Sequence, residues 1–130
     1  MVNLIKYLCY EMTENQKVDN IYLFGGSTFS GAYDYLPKEH VGKYSENSLK
    51  RIVGWQLDRI KKGKAKYILI IFDDVMNLTD EFKKNIFRKL ISEFRHYKIC
   101  FIFSVQYLKG VNPVFRECTS FVCIFKTTNK

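Results

Sequence analysis

Tyr67-Ile68-Leu69-Ile70-Ile71-Phe72-Asp73-Asp74 is the stretch that decides the fold. Residues 67–72 are apolar without a break, and two acids end the run. A strand with apolar side chains at both parities has no face suited to water. It belongs in the centre of a parallel sheet, with helices covering both sides.

The flanking segments supply those helices. Residues 46–61 carry Leu49, Ile52, Val53, Leu57 and Ile60 at the spacing of one helical face, and Gly63 stops that helix. Upstream, residues 2–13 place Leu4, Ile5, Leu8, Cys9 and Met12 on another helical face. Residues 19–24 read as a short buried strand. A loop with Gly25, Gly26 and Gly31 then runs to Pro37 and Gly42. Downstream, Thr79 suits the cap of a helix whose stripe is Phe82, Ile86, Phe87, Leu90, Ile91 and Phe94. Residues 98–105 form another buried strand, a short helix starts near Pro113, and 120–126 is the last strand. Helices alternating with strands mean a single α/β domain over residues 1–130, with no internal repeat.

Composition agrees. With 130 residues, 47% hydrophobic and 26% charged, the chain has material for one packed domain and is no disordered tail. The formal charge of +8 favours polyanions or phosphate-bearing ligands as partners. No apolar run approaches a membrane span, and residues 1–8 are too short and interrupted for a secretory signal, so a cytoplasmic setting is expected. Cys9, Cys100, Cys118 and Cys123 form no CxxC pair and read as reduced thiols, three of them in apolar stretches; with only His40 and His96 besides, a zinc site has few ligands.

Chemistry is expected at the carboxyl ends of the strands, where parallel α/β sheets bind ligands. Asp73 and Asp74 stand there. One carboxylate can hold Mg2+ and a second can take a proton from an attacking water, although either acid also suits capping of the next turn. Ser104-Val105-Gln106 ends the following strand, where an amide can sense a phosphate; strand ends are also commonly polar. Arg116 offers a planar, permanently charged group for phosphate, against the plain reading of a solvated arginine. Arg95-His96 closes the helix over 79–94, where cations are ordinary dipole partners. Lys50, Arg51, Arg59, Lys61, Lys62, Lys64 and Lys66, with Asp58 among them, form either a nucleic-acid track or a solvated helix end. Gly26 and Gly31 have the spacing of a phosphate-binding loop, but Ala32 and Tyr33 stand where a lysine and a hydroxyl residue are required, so that motif is rejected.

Taken in order, Phe24, Ser27-Thr28, Tyr33-Asp34-Tyr35-Leu36-Pro37, the run 68–74, Arg95-His96, Ser104-Val105-Gln106, Pro113 and Phe115-Arg116 resemble the genome-packaging ATPases of large DNA viruses. These are the poxvirus-type branch of the FtsK–HerA superfamily, and the resemblance spans roughly residues 4–125. It implies a three-layer, P-loop-NTPase-like (RecA/ASCE-type) α/β fold with a mostly parallel sheet. It also implies ATP and Mg2+ as cofactors, double-stranded DNA as partner and a ring-shaped homo-oligomer. On this pattern Asp73 would bind Mg2+, Asp74 would activate water, Gln106 would be the polar sensor, and Arg116 would be a finger for a neighbouring subunit. The DNA backbone would lie on Lys61, Lys62 and Lys64.

The family's first strand and its GxxxxGK[ST] loop have no counterpart in the 130 residues. Residues 4–8 resemble the helix that follows that loop, so Met1 falls at or just after its lysine. The absent strand would lie between 98–105 and 120–126, leaving a sheet that is marginal unless it repacks or a partner supplies the loop. The expected function is therefore the Walker B-to-sensor portion of a DNA-translocating ATPase, with weak nucleotide binding by this portion alone. A catalytically inactive relative kept for oligomerisation or DNA binding is the alternative. A Mg2+-dependent nuclease would need a third acid near Asp73 and Asp74, from Glu11, Glu39 or Asp80.

Overall fold

The computed structural model describes residues 2–15, 17–25, 33–63, 65–73 and 95–104, together with Lys89 and Glu93. Helix α1 (Val2–Glu14) leads into strand β1 (Val18–Gly25). A single 3-10 turn (Lys38–His40) precedes a two-residue strand β2 (Val41–Gly42). Helix α2 (Glu46–Lys61), strand β3 (Tyr67–Asp73) and strand β4 (Ile99–Ser104) follow. The strands form one sheet in the order β2-β1-β3-β4, and every pairing is parallel.

The sheet is covered on both faces, as the run 67–72 requires. Alternate side chains of β3 go to opposite layers. Ile68, Ile70 and Phe72 pack with Leu49 and Val53 of α2 and with Phe24 and Ile99. Leu69 and Ile71 pack with Ile5 and Cys9 of α1 and with Val18, Leu23, Tyr33 and Leu36. The result is a three-layer α/β fold with β3 sealed from water along residues 68–72. Phe72 is the aromatic centre: its ring stacks on Phe103 at 4.9 Å and meets Phe24 at 5.4 Å and Tyr44 at 5.8 Å.

Local chemistry sets the ends of α2. The Ser45 side chain accepts from the Ser48 amide at 3.1 Å, which satisfies one of the orphan donors of the first turn. At the other end Gly63 takes φ +72°, a conformation that costs an L side chain roughly 1–2 kcal/mol, and its amide reaches the Ile60 carbonyl at 3.0 Å.

Two features tie α2 to the amino edge of the sheet. Between β1 and β3 the register shifts from Val18↔Tyr67 to Asn20↔Ile68, leaving Asp19 as the extra residue of a bulge. Asp19 is thereby turned outward and forms an ion pair with Arg59 of α2. Beneath that pair, Gln56 is fully buried and donates through Nε2 to the carbonyls of Lys66 at 2.8 Å and Lys98 at 3.1 Å, just before β3 and β4. Leucine at position 56 would leave both carbonyls without this donor. Gln56→Leu is therefore expected to cost about 1–3 kcal/mol, read as a lower thermal midpoint; an unchanged midpoint would contradict this role.

The helix expected over 79–94 lies outside the described residues apart from Lys89 and Glu93. The short helix near Pro113 and the strand over 120–126 lie outside them as well. So does the sheet position beyond β4, where the family's absent strand was expected.

Candidate functional site

The all-parallel sheet brings three strand ends level. Gly25 is in register with Asp73, and Asp73 with Ser104. Asp73 is the last residue of β3, half-buried and at the same parity as Leu69 and Ile71, so its side chain belongs to the α1 layer. Ser104 is buried beside it.

Helix α1 frames this edge. The Lys17 amide, just ahead of β1, donates to the Met12 carbonyl at 3.0 Å and ties the end of α1 to the start of β1. The helix therefore runs back antiparallel to β1, and its first turn arrives at the carboxyl edge. Lys6, one turn in from the start of α1, lies over the Tyr35 ring, 5.6 Å from its centroid.

The turn over residues 33–36 closes the site. The Leu36 amide donates to the Tyr33 carbonyl at 3.0 Å, and the side chains of Tyr33 and Leu36 are buried under α1 while Asp34 is exposed and Tyr35 lies partly exposed against α1. From this anchored position the Tyr33 hydroxyl donates a hydrogen bond to Oδ2 of Asp73. Burial first, and then the bond to Asp73 and its charge, hold the Tyr33 phenol far above the usual phenol range, so it is a donor at every physiological pH. Tyr35 is raised in the same way by burial and by neighbouring Cys9. Burial also pushes the Cys9 thiol up, against the lowering effect of its contact with Tyr35, which makes it a poor nucleophile. Cys9 and Cys100 are free thiols.

A single carboxylate at a strand end, beside a buried hydroxyl residue, suits Mg2+. That ion is ordinarily held by one or two carboxylates together with substrate phosphates and water. Among the described residues no three His, Cys, Asp or Glu side chains converge. Asp80 lies outside the described residues, as do Asp74, Gln106, Arg116 and Lys64.

Four of the remaining sequence candidates, Lys61, Lys62, Arg95 and His96, sit at the opposite, amino edge. The last turn of α2 carries Lys61, and Lys62 caps the helix; both are exposed, and Lys62 pairs with Asp58 at 2.9 Å. Lys50 pairs with Glu46 at 3.4 Å, and Arg59 is engaged by Asp19 and stacked on Trp55 at 4.5 Å. Arg95 and His96 precede β4 at this same edge, exposed and remote from Asp73. The structure thus places Lys61 and Lys62 away from the carboxyl strand ends and uses Arg59 structurally. Sequence reasoning did not find the Tyr33–Asp73 contact. The two residues are 40 positions apart, and Tyr33 entered only as a residue that spoils a phosphate-loop match and as part of the resemblance over residues 33–37, with no link to Asp73.

A family model described as Poxvirus A32 protein matches residues 4–130. No curated protein and no solved structure matches the chain.

Proposed function

We infer from its membership – the chain belongs to the poxvirus A32 protein family, the genome-packaging ATPases of these viruses – that it carries the Walker B-to-sensor portion of a DNA-translocating ATPase. The observation that carries this reading is Asp73. It ends the most deeply buried strand of a parallel sheet, on the layer of the helix whose first turn reaches the same edge. A phosphate loop leads into the amino end of a helix, where amides and dipole favour anions. A loop joined to α1 would place phosphates against the edge that bears Asp73.

In this reading Asp73 holds the Mg2+ that offsets phosphate charge, and Asp74 accepts the proton of the attacking water. Gln106 contacts the terminal phosphate and Arg116 reaches a neighbouring subunit of a ring. Lys61 and Lys62, on the other edge of the sheet, meet the backbone of double-stranded DNA together with Lys64.

The 130 residues contain no GxxxxGK[ST], so the phosphate grip must come from a segment or partner joined to them. Titration of the isolated chain with ATP and Mg2+ is expected to show no saturable binding in the micromolar range. Hydrolysis by the isolated chain that Asp73→Asn abolishes would overturn the need for that loop. A second reading, an inactive relative that binds DNA, is favoured by the exposed Lys61 and Lys62 far from Asp73. It predicts that reversing Lys61, Lys62 and Lys64 to Glu impairs DNA binding while Asp73→Asn leaves function intact.

A further inference from the structure

We propose that Tyr33 is a positioning residue for Asp73: its hydroxyl ties Oδ2, fixing the carboxylate so that Oδ1 is presented to a Mg2+ ion or one of its waters. The inference rests on the reading of Asp73 as the metal-holding acid and adds to it the residue that sets its geometry.

Two observations carry it. The first is the hydrogen bond itself, from Tyr33 to one named oxygen of the carboxylate that ends β3. The second is that the Tyr33 ring is a core side chain. It is 7% exposed and packed in the layer with Ile5, Cys9, Leu36 and Ile71. The turn that carries it is closed by its own backbone bond and anchored by buried Leu36. Swinging the phenol away from Asp73 would expose a large buried ring, which is unfavourable. The phenol is thus a fixed fitting of the site and not a plug that a metal displaces. A carboxylate so tied loses the rotation that would otherwise be frozen on binding a metal.

The same arrangement couples α1 to the metal edge. Tyr35, two residues on, sits between Lys6 and Cys9 of that helix. A helix that follows a phosphate loop would in this way share one packed unit with the acid it must cooperate with.

The test uses Mn2+, a paramagnetic stand-in for Mg2+, titrated into the full chain, with NMR broadening of the Gly25, Asp73 and Ser104 amides as the readout. Wild-type protein is expected to show site-specific broadening that Asp73→Asn abolishes. Tyr33→Phe keeps the ring and is expected to weaken the Mn2+ effect by about ten-fold or more, as loss of a partner behind a metal ligand does. Tyr67→Phe removes a hydroxyl at the opposite, amino end of β3 and is expected to titrate as wild type. Tyr33→Phe titrating as well as wild type, or more tightly, while Asp73→Asn abolishes broadening, overturns the positioning role and leaves the reading of Asp73 standing. Broadening that survives Asp73→Asn overturns both. Loss of a dispersed spectrum in Tyr33→Phe also overturns the proposal, because the hydroxyl would then be holding the core and not the carboxylate.

Discussion

Phe72→Ala is expected to remove about 3–5 kcal/mol of stability, the range for deleting a fully buried phenylalanine. Phe72 has no exposure, and its ring is shared by three elements: Phe103 of β4, Phe24 of β1 and Tyr44 ahead of α2. Truncation leaves a cavity on the α2 face that none of these stiff rings can fill. Domains of this kind are stable by only ~5–15 kcal/mol, so the loss is a large share of the total. With a urea slope of ~1–3 kcal/mol/M, the unfolding midpoint should fall by about 2 M or the protein should be unfolded before denaturant is added. A change under about 0.5 M would mean that the α2 layer is loosely packed and that β3 is not the sealed centre of the sheet.

Asp73→Asn is expected to act the opposite way, with little effect on folding and a large one on chemistry. The amide is isosteric and still accepts from Tyr33, but it lacks the charge that holds Mg2+. Transition-state stabilisation by such an ion is worth several kcal/mol, which corresponds to a fall in kcat of about 100-fold to 1,000-fold. The readout is Mg2+-dependent ATP turnover by the chain joined to a phosphate loop, alongside the urea midpoint. Loss of turnover with an unchanged midpoint is the expected pair of results. Normal turnover would remove Asp73 from the mechanism.

Much of the architecture was legible because its signal is local. The helix over 46–61 matches α2, whose bounds are Glu46–Lys61, since its apolar stripe and Gly63 lie within or beside it. The unbroken run 67–72 announced a strand covered on both faces, and β3 extends over it to Asp73. What was not legible depends on distant partners. Strand β2 is only Val41 and Gly42, in register with Leu23 and Phe24, and nothing in two residues marks a strand. Arg59 reads in sequence as one more base in a basic run, yet a bulge that turns out Asp19, 40 positions away, decides its role. The site divides along the same line. The strand-end position of Asp73 followed from the hydrophobic run before it, whereas its hydrogen bond to Tyr33 depends on a turn pinned down by Leu36.

The most direct measurement of the central claim is ATP hydrolysis, with and without double-stranded DNA, by the chain joined through α1 to an apolar strand and a GxxxxGK[ST] loop. The account predicts turnover that the isolated chain lacks, that DNA stimulates and that Asp73→Asn removes. A folded, loop-joined chain that hydrolyses no ATP, or that hydrolyses it equally well with asparagine at position 73, would contradict it.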